Sequence, residues 1–128
     1  MSQRLLAANQ KLIGATLDPL EKARHSQDRV VLLARLGKVK QAREILEQAR
    51  RELPCAAPLA LQLRFEYVDA IRVYFSKHFV AARTSMLAIV ERARHEAGDL
   101  ALVGECESAL ALFMQREGDV RAAARYAR

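Results

Sequence analysis

Leu59-Ala60-Leu61-Gln62-Leu63-Arg64-Phe65-Glu66-Tyr67 is the stretch on which the fold turns. From Leu61 onward it alternates apolar and polar residues strictly, and taken alone that period of two is a strand signal. The following residues, Val68 to Phe75, lose the alternation. A lone strand among helices would also have no partner for its backbone hydrogen bonds. The stretch therefore reads as part of a helix that is apolar on more than one face, as expected of a central helix packed on both sides.

The rest of the chain supports a helical reading. It has 128 residues, 52% hydrophobic and only 5% aromatic, with 5 Gly, 3 Pro and no Trp. That length allows one domain or a short repeat array, and the composition favours helix over a sandwich, a barrel or a disordered chain. Asp18-Pro19, Gly37, Pro54 through Pro58, Lys77-His78, Gly98-Asp99 and Gly118-Asp119 punctuate the sequence. Asp18, Asp99 and Asp119 are suited to cap helix starts, Pro19 to a first helical position, and Gly37, Gly98 and Gly118 to left-handed closures. Between the marks, apolar residues recur at steps of three and four: Val39, Ala42, Leu46, Ala49, then Phe79, Ala82, Met86, Ile89, then Leu100, Val103, Cys106, Leu110. Leu5, Leu6, Leu12, Ile13 and Leu17 fit a further helix at the N-terminus.

Three of these turns superimpose. Gly37-Lys38-Val39-x-x-Ala42, Lys77-His78-Phe79-x-x-Ala82 and Gly118-Asp119-Val120-x-x-Ala123 follow one another at 40 and 41 residues. Each calls for a tight turn, an apolar plug and a small residue where two antiparallel helices come closest. Gly37, Val39, Ala42, Leu46, Ala49 and Pro54 of the first unit resemble the tetratricopeptide repeat (TPR) family, as do Phe79, Ala82 and Met86 of the second and Ala111, Gly118, Val120 and Ala123 of the third. Ser26, Arg29, Glu66 and Asp69 stand where that family places apolar residues, and the period is longer than its ~34, so the resemblance is to a divergent, long-helix relative. It implies an all-α fold of about 6–7 helices, a right-handed stack of antiparallel helical hairpins forming a TPR-like solenoid. The expected layout is an N-terminal helix at 1–18 and repeats at 19–56, 57–98 and 99–128. The last repeat is incomplete, so a longer protein or a covering chain is expected beyond it.

Charge bounds the function. Lys and Arg number 21 against 15 acidic residues, a net charge of +6. The excess lies toward the N-terminal half, where residues 1–56 carry 11 basic and 6 acidic side chains. Such a field favours acidic partners, but the basic residues are interleaved with Glu and Asp, which disfavours nucleic acid. Cys55 and Cys106 are lone thiols without paired spacing, and no apolar run approaches membrane-spanning length, so a cytoplasmic protein with no membrane partner is expected.

Catalytic patterns are not found, and no enzyme activity, metal or cofactor is expected. Gly98 and Gly104 have the wrong spacing for a phosphate cradle, and His95-Glu96 is not followed by a second histidine at metalloprotease spacing. His25 and His78 read as solvated or capping residues. Cys106, on one stripe with Val103 and Leu110, reads as a packed thiol rather than a nucleophile.

What remains is surface. The resemblance implies a concave groove lined by the first helices of successive hairpins. Its stripe would be Gln27, Val31 and Arg35, then Arg64, Tyr67, Ile71 and Tyr74, then Ser108, Leu112, Gln115 and Arg116. Arg and Tyr suit contact surfaces, and Arg35, Arg64, Tyr67 and Tyr74 are expected on one wall, partly exposed; the alternative is that the tyrosines simply pack in the central repeat. The expected function is protein–protein interaction, as the sensor or scaffold region of a larger bacterial signalling or regulatory protein. The partner would be a protein or an acidic peptide, with self-association through the C-terminal repeat a further option. The alternative is an Arg-rich helical repeat that binds nucleic acid.

Overall fold

The Asp18 carboxylate accepts a hydrogen bond from Leu20 N–H at 2.9 Å, and Pro19 follows in the first helical turn. These two residues start α1, Pro19–Arg35, for the reasons read from the sequence: an orphan N–H is capped, and proline has none to lose. The computed structural model describes residues 3–7 and 18–118. After α1 come α2 (Val39–Glu52), α3 (Leu59–Phe75), α4 (Phe79–Arg92), a π-helical turn (Ala93–Ala97) and α5 (Leu100–Arg116). Residues 3–7 are helical, and among the described residues there is no strand. The expectations that rest on Leu12, Ile13 and Leu17, and those on Asp119, Val120 and Ala123, lie outside the described residues.

Helix lengths alternate as 17, 14, 17, 14 and 17 residues. Gly37, Gly98 and Gly118 all take positive φ, the left-handed closure that a residue without Cβ adopts freely. Lys77 takes it too, with φ +70°. The turn at 36–38 folds α2 back along α1, and the turn at 76–78 folds α4 back along α3. Side by side, α1 packs on α3, α3 on α5, α2 on α3 and α4 on α5. Ala42 and Ala82 are both completely buried, as expected of small residues where paired helices approach.

The ambiguous stretch is the centre of the molecule. Residues two apart on a helix point about 200° from one another, so alternation sends them to opposite faces. Leu61, Phe65 and Val68 enter one core with Val30, Leu33, Ala42 and Leu46. Leu63, Ala70, Ile71 and Tyr74 enter the other with Met86, Ile89, Cys106 and Phe113. Two cores meeting on one helix produce the period that imitates a strand. The polar residues at apolar family positions are accommodated differently. Glu66 pairs with Arg92 at 3.1 Å, Asp69 pairs with Arg72 at 2.8 Å, and Ser26 is buried. Arg29 is half-buried, with Nε lacking a hydrogen-bond partner. Among the described residues no helix is long and apolar enough to cross a membrane.

Candidate functional site

Side chains at i, i+4 and i+8 share a helix face, and Tyr67, Ile71 and Phe75 form such a stripe on α3. On α5 the facing wall is low. Ala101, Gly104, Ser108 and Ala109 are small, and Leu112 and Phe113 close its far end. Arg35, from the last turn of α1, completes the rim. Together they bound an open cleft of about 510 Å³ across the three helices, within the usual range of ligand and peptide sites.

Of the groove residues expected from the sequence, this cleft gathers Arg35, Tyr67, Ile71, Ser108 and Leu112. The guanidinium of Arg116 sits 5.2 Å from the centre of the Phe75 ring, at the end of α3 and α5. Gln115 is exposed on the same last turn. Burial pushes the Tyr67 phenol up to about 12, with the Glu105 carboxylate adding to the shift. The phenol therefore stays protonated at neutral pH and can donate a hydrogen bond into the cleft.

Three residues do something other than expected. Tyr74 is only 4% exposed, which overturns its placement on an open wall. Its ring stacks on Phe113, with centroids 3.9 Å apart and planes 4° from parallel, and its hydroxyl donates to the Phe113 carbonyl at 3.4 Å. Here the alternative reading of a packed tyrosine is the right one. Gln27 is also buried, and its Nε2 donates to the Leu61 carbonyl at 3.4 Å, tying α1 to the start of α3. Arg64 does not line the cleft. It pairs with Glu105 at 2.8 Å and lies 3.9 Å from Asp99, so it joins α3 to α5 beside the cleft.

Phe75, Ala101, Gly104, Glu105, Ala109 and Phe113 also line the cleft without having been expected there, and Gly104 is the most telling of them. A glycine inside a helix costs about 0.5–1 kcal/mol relative to alanine, and packing usually explains it. Here a Cβ would meet no atom within 4 Å. The room it leaves opens onto the cleft. Cys106, on the opposite side of α5, is buried, and burial pushes its thiol up to about 12. A thiol held protonated in this way is a packing residue and a poor nucleophile. His95, exposed on the π-helical turn, lies 3.4 Å from Glu91. No family model, curated protein or solved structure matches this chain.

Proposed function

We propose that this chain is a protein–protein interaction module of divergent TPR type, and that the cleft across α1, α3 and α5 receives an apolar segment of a partner protein. The observation that carries the reading is the cleft itself: five of the groove residues named from the repeat register, on three different helices, converge on one open, apolar-walled space. Gly104 adds to it, being a helix-weakening residue whose only visible consequence is space for something else. Tyr67, Phe75 and Leu112 supply contact area, while the Tyr67 hydroxyl and Arg35 supply direction. A role as the sensor or scaffold region of a larger regulatory protein accords with such a module.

The test uses Gly104→Leu. Because a Cβ there would meet no atom within 4 Å, leucine is expected to extend into the cleft while favouring the helix. Peptides selected from a random displayed library against the wild-type protein are expected to lose binding to this variant, whose melting temperature stays equal or rises. Undiminished binding to a folded Gly104→Leu protein would remove the cleft from the interaction.

A further inference from the structure

Five cations of this molecule gather at one edge, beside the cleft. In a stack of hairpins the ends of α1, α3 and α5 and the starts of α2 and α4 lie on the same side, here called the turn edge. Contacts between elements hold this arrangement: Arg116 at the end of α5 sits over Phe75 at the end of α3, and Arg83 in the first turns of α4 pairs with Glu117 just after α5. At the opposite edge Lys22 near the start of α1 pairs with Glu52 at the end of α2, 3.5 Å apart.

The two edges differ in chemistry. On the opposite edge α1 and α5 begin with carboxylate caps, Asp18 bonded to Leu20 N–H and Asp99 bonded to Leu102 N–H, while α3 begins at Pro58 without one. On the turn edge α2 and α4 begin without a side-chain cap or an acidic residue in the first turn, and the cap positions hold Lys38 and His78. Arg35, Lys38, Lys40, Lys77 and Arg116 all fall here, and among the described residues none of the five enters an ion pair, a freedom they share with Arg24, Arg50 and Arg51 away from this edge. The neighbouring acids are consumed locally, Asp69 by Arg72 at 2.8 Å and Glu117 by Arg83, which leaves Glu44 on the exposed face of α2. Among the described residues the five cations therefore outnumber the one carboxylate left unpaired near them, Glu44. Cations near the ends of α1, α3 and α5 also suit the helix dipoles, but Lys38 and Lys40 stand at the positive end of α2, where that dipole disfavours them. Arg35 and Phe75, with Arg116 over it, belong to this edge and to the cleft at once, so the apolar space opens directly onto the cations.

We propose that the turn edge is the second half of one recognition surface, and that the partner segment carries a run of carboxylates beside the apolar residues that fill the cleft. The proposal rests on the cleft as a partner site, and charge complementarity names the occupant. Uncapped N–H groups at the starts of α2 and α4 add directional donors for those carboxylates to the charge of Lys38, Lys40 and Lys77. An acidic polypeptide fits better than a nucleic-acid strand, because the cations border an apolar cleft rather than follow a groove.

Three fluorescent probes test this by anisotropy: octaglutamate, a heptapeptide of leucine, phenylalanine and serine, and the two joined. Joining is expected to tighten binding about tenfold or more over either part, since the second contact becomes intramolecular. Reversing Lys38, Lys40 and Lys77 to Glu should abolish that gain and leave the heptapeptide unaffected, whereas Gly104→Leu should abolish heptapeptide binding and spare octaglutamate. A matched reversal of Arg24, Arg50 and Arg51 to Glu, away from the turn edge, should preserve the gain. The proposal is overturned if the first triple variant binds the joined probe as tightly as wild type, or if the matched reversal does equal damage. It is also overturned, in favour of nucleic acid, if a single-stranded 12-mer displaces octaglutamate through the same three lysines. Loss of heptapeptide binding from wild type alone would count against the cleft, while octaglutamate binding would still report on the edge.

Discussion

The turns that close the two hairpins share one hydrogen-bond scheme and are built from different residues. At the first, Gly37 N–H donates to Ala34 O at 3.0 Å and Lys38 N–H to Leu33 O at 2.9 Å. At the second, Lys77 N–H donates to Tyr74 O at 2.9 Å and His78 N–H to Val73 O at 3.2 Å. Both are Schellman closures, and the central φ values, +80° and +70°, nearly coincide. Glycine takes that conformation without strain, whereas a residue with Cβ is raised by about 1–2 kcal/mol. The second turn therefore needs support that the first does not. It has it in Tyr74, which stacks on Phe113 and lies 5.1 Å from the Phe79 ring, and in Ser76, whose Oγ donates to Arg72 O at 2.9 Å. At the first turn the buried residues that precede the glycine, Leu33 and Ala34, are aliphatic. Backbone geometry is thus encoded by a residue in one hairpin and imposed by packing in the other.

Five substitutions break or sharpen this contrast. Phe113→Ala removes the stacking partner of Tyr74 and is expected to cost about 3–5 kcal/mol in a denaturant titration; a loss below about 1 kcal/mol would mean that the aromatic group does not hold the second turn. Ala82→Leu and Ala42→Leu each overpack a fully buried contact and should cost about 1–3 kcal/mol, and an unchanged melting midpoint for either would show that its helices can separate freely. Gly37→Ala should cost about 1–2 kcal/mol through backbone strain alone, because no atom within 4 Å waits for the new Cβ. Lys77→Gly runs the other way. Relief of strain, less the entropy that glycine adds to the unfolded chain, should raise stability by up to about 1 kcal/mol, and a fall in melting temperature would mean that the lysine side chain anchors the turn.

Helix boundaries were legible because their chemistry is local. Asp18 with Pro19, Gly37, and Gly98 with Asp99 each announce an end or a start within a few residues, and the structure uses them so. The helical reading of residues 59–67 held because the alternation stopped at Val68. What the sequence hid depends on distance along the chain. Tyr74 is buried by a residue 39 positions away, and Arg64 is turned from the cleft by Glu105, 41 positions away. The repeat register put both on the groove wall, and nothing in it foresaw these partners. Gly104 entered the sequence reading only as a glycine wrongly spaced for a phosphate cradle, since the empty space beside it exists only once three helices are assembled.

The π-helical turn at Ala93–Ala97 has a consequence for how such a chain can change. The start of α5 lies 41 residues after that of α3, against 40 from α1 to α3, and an extra residue inside an α-helix would rotate everything after it by about 100°. A wide turn takes up such a residue locally. Ala93 remains buried, Asp99 N–H still reaches back to the Ala93 carbonyl at 2.9 Å, and Leu102 and Cys106 keep their places in the core. The end of α4 thus works as an expansion joint. Single-residue insertions and deletions can be tried there without either core losing its register, so the length of the chain is freer to drift at this point than its helix faces are.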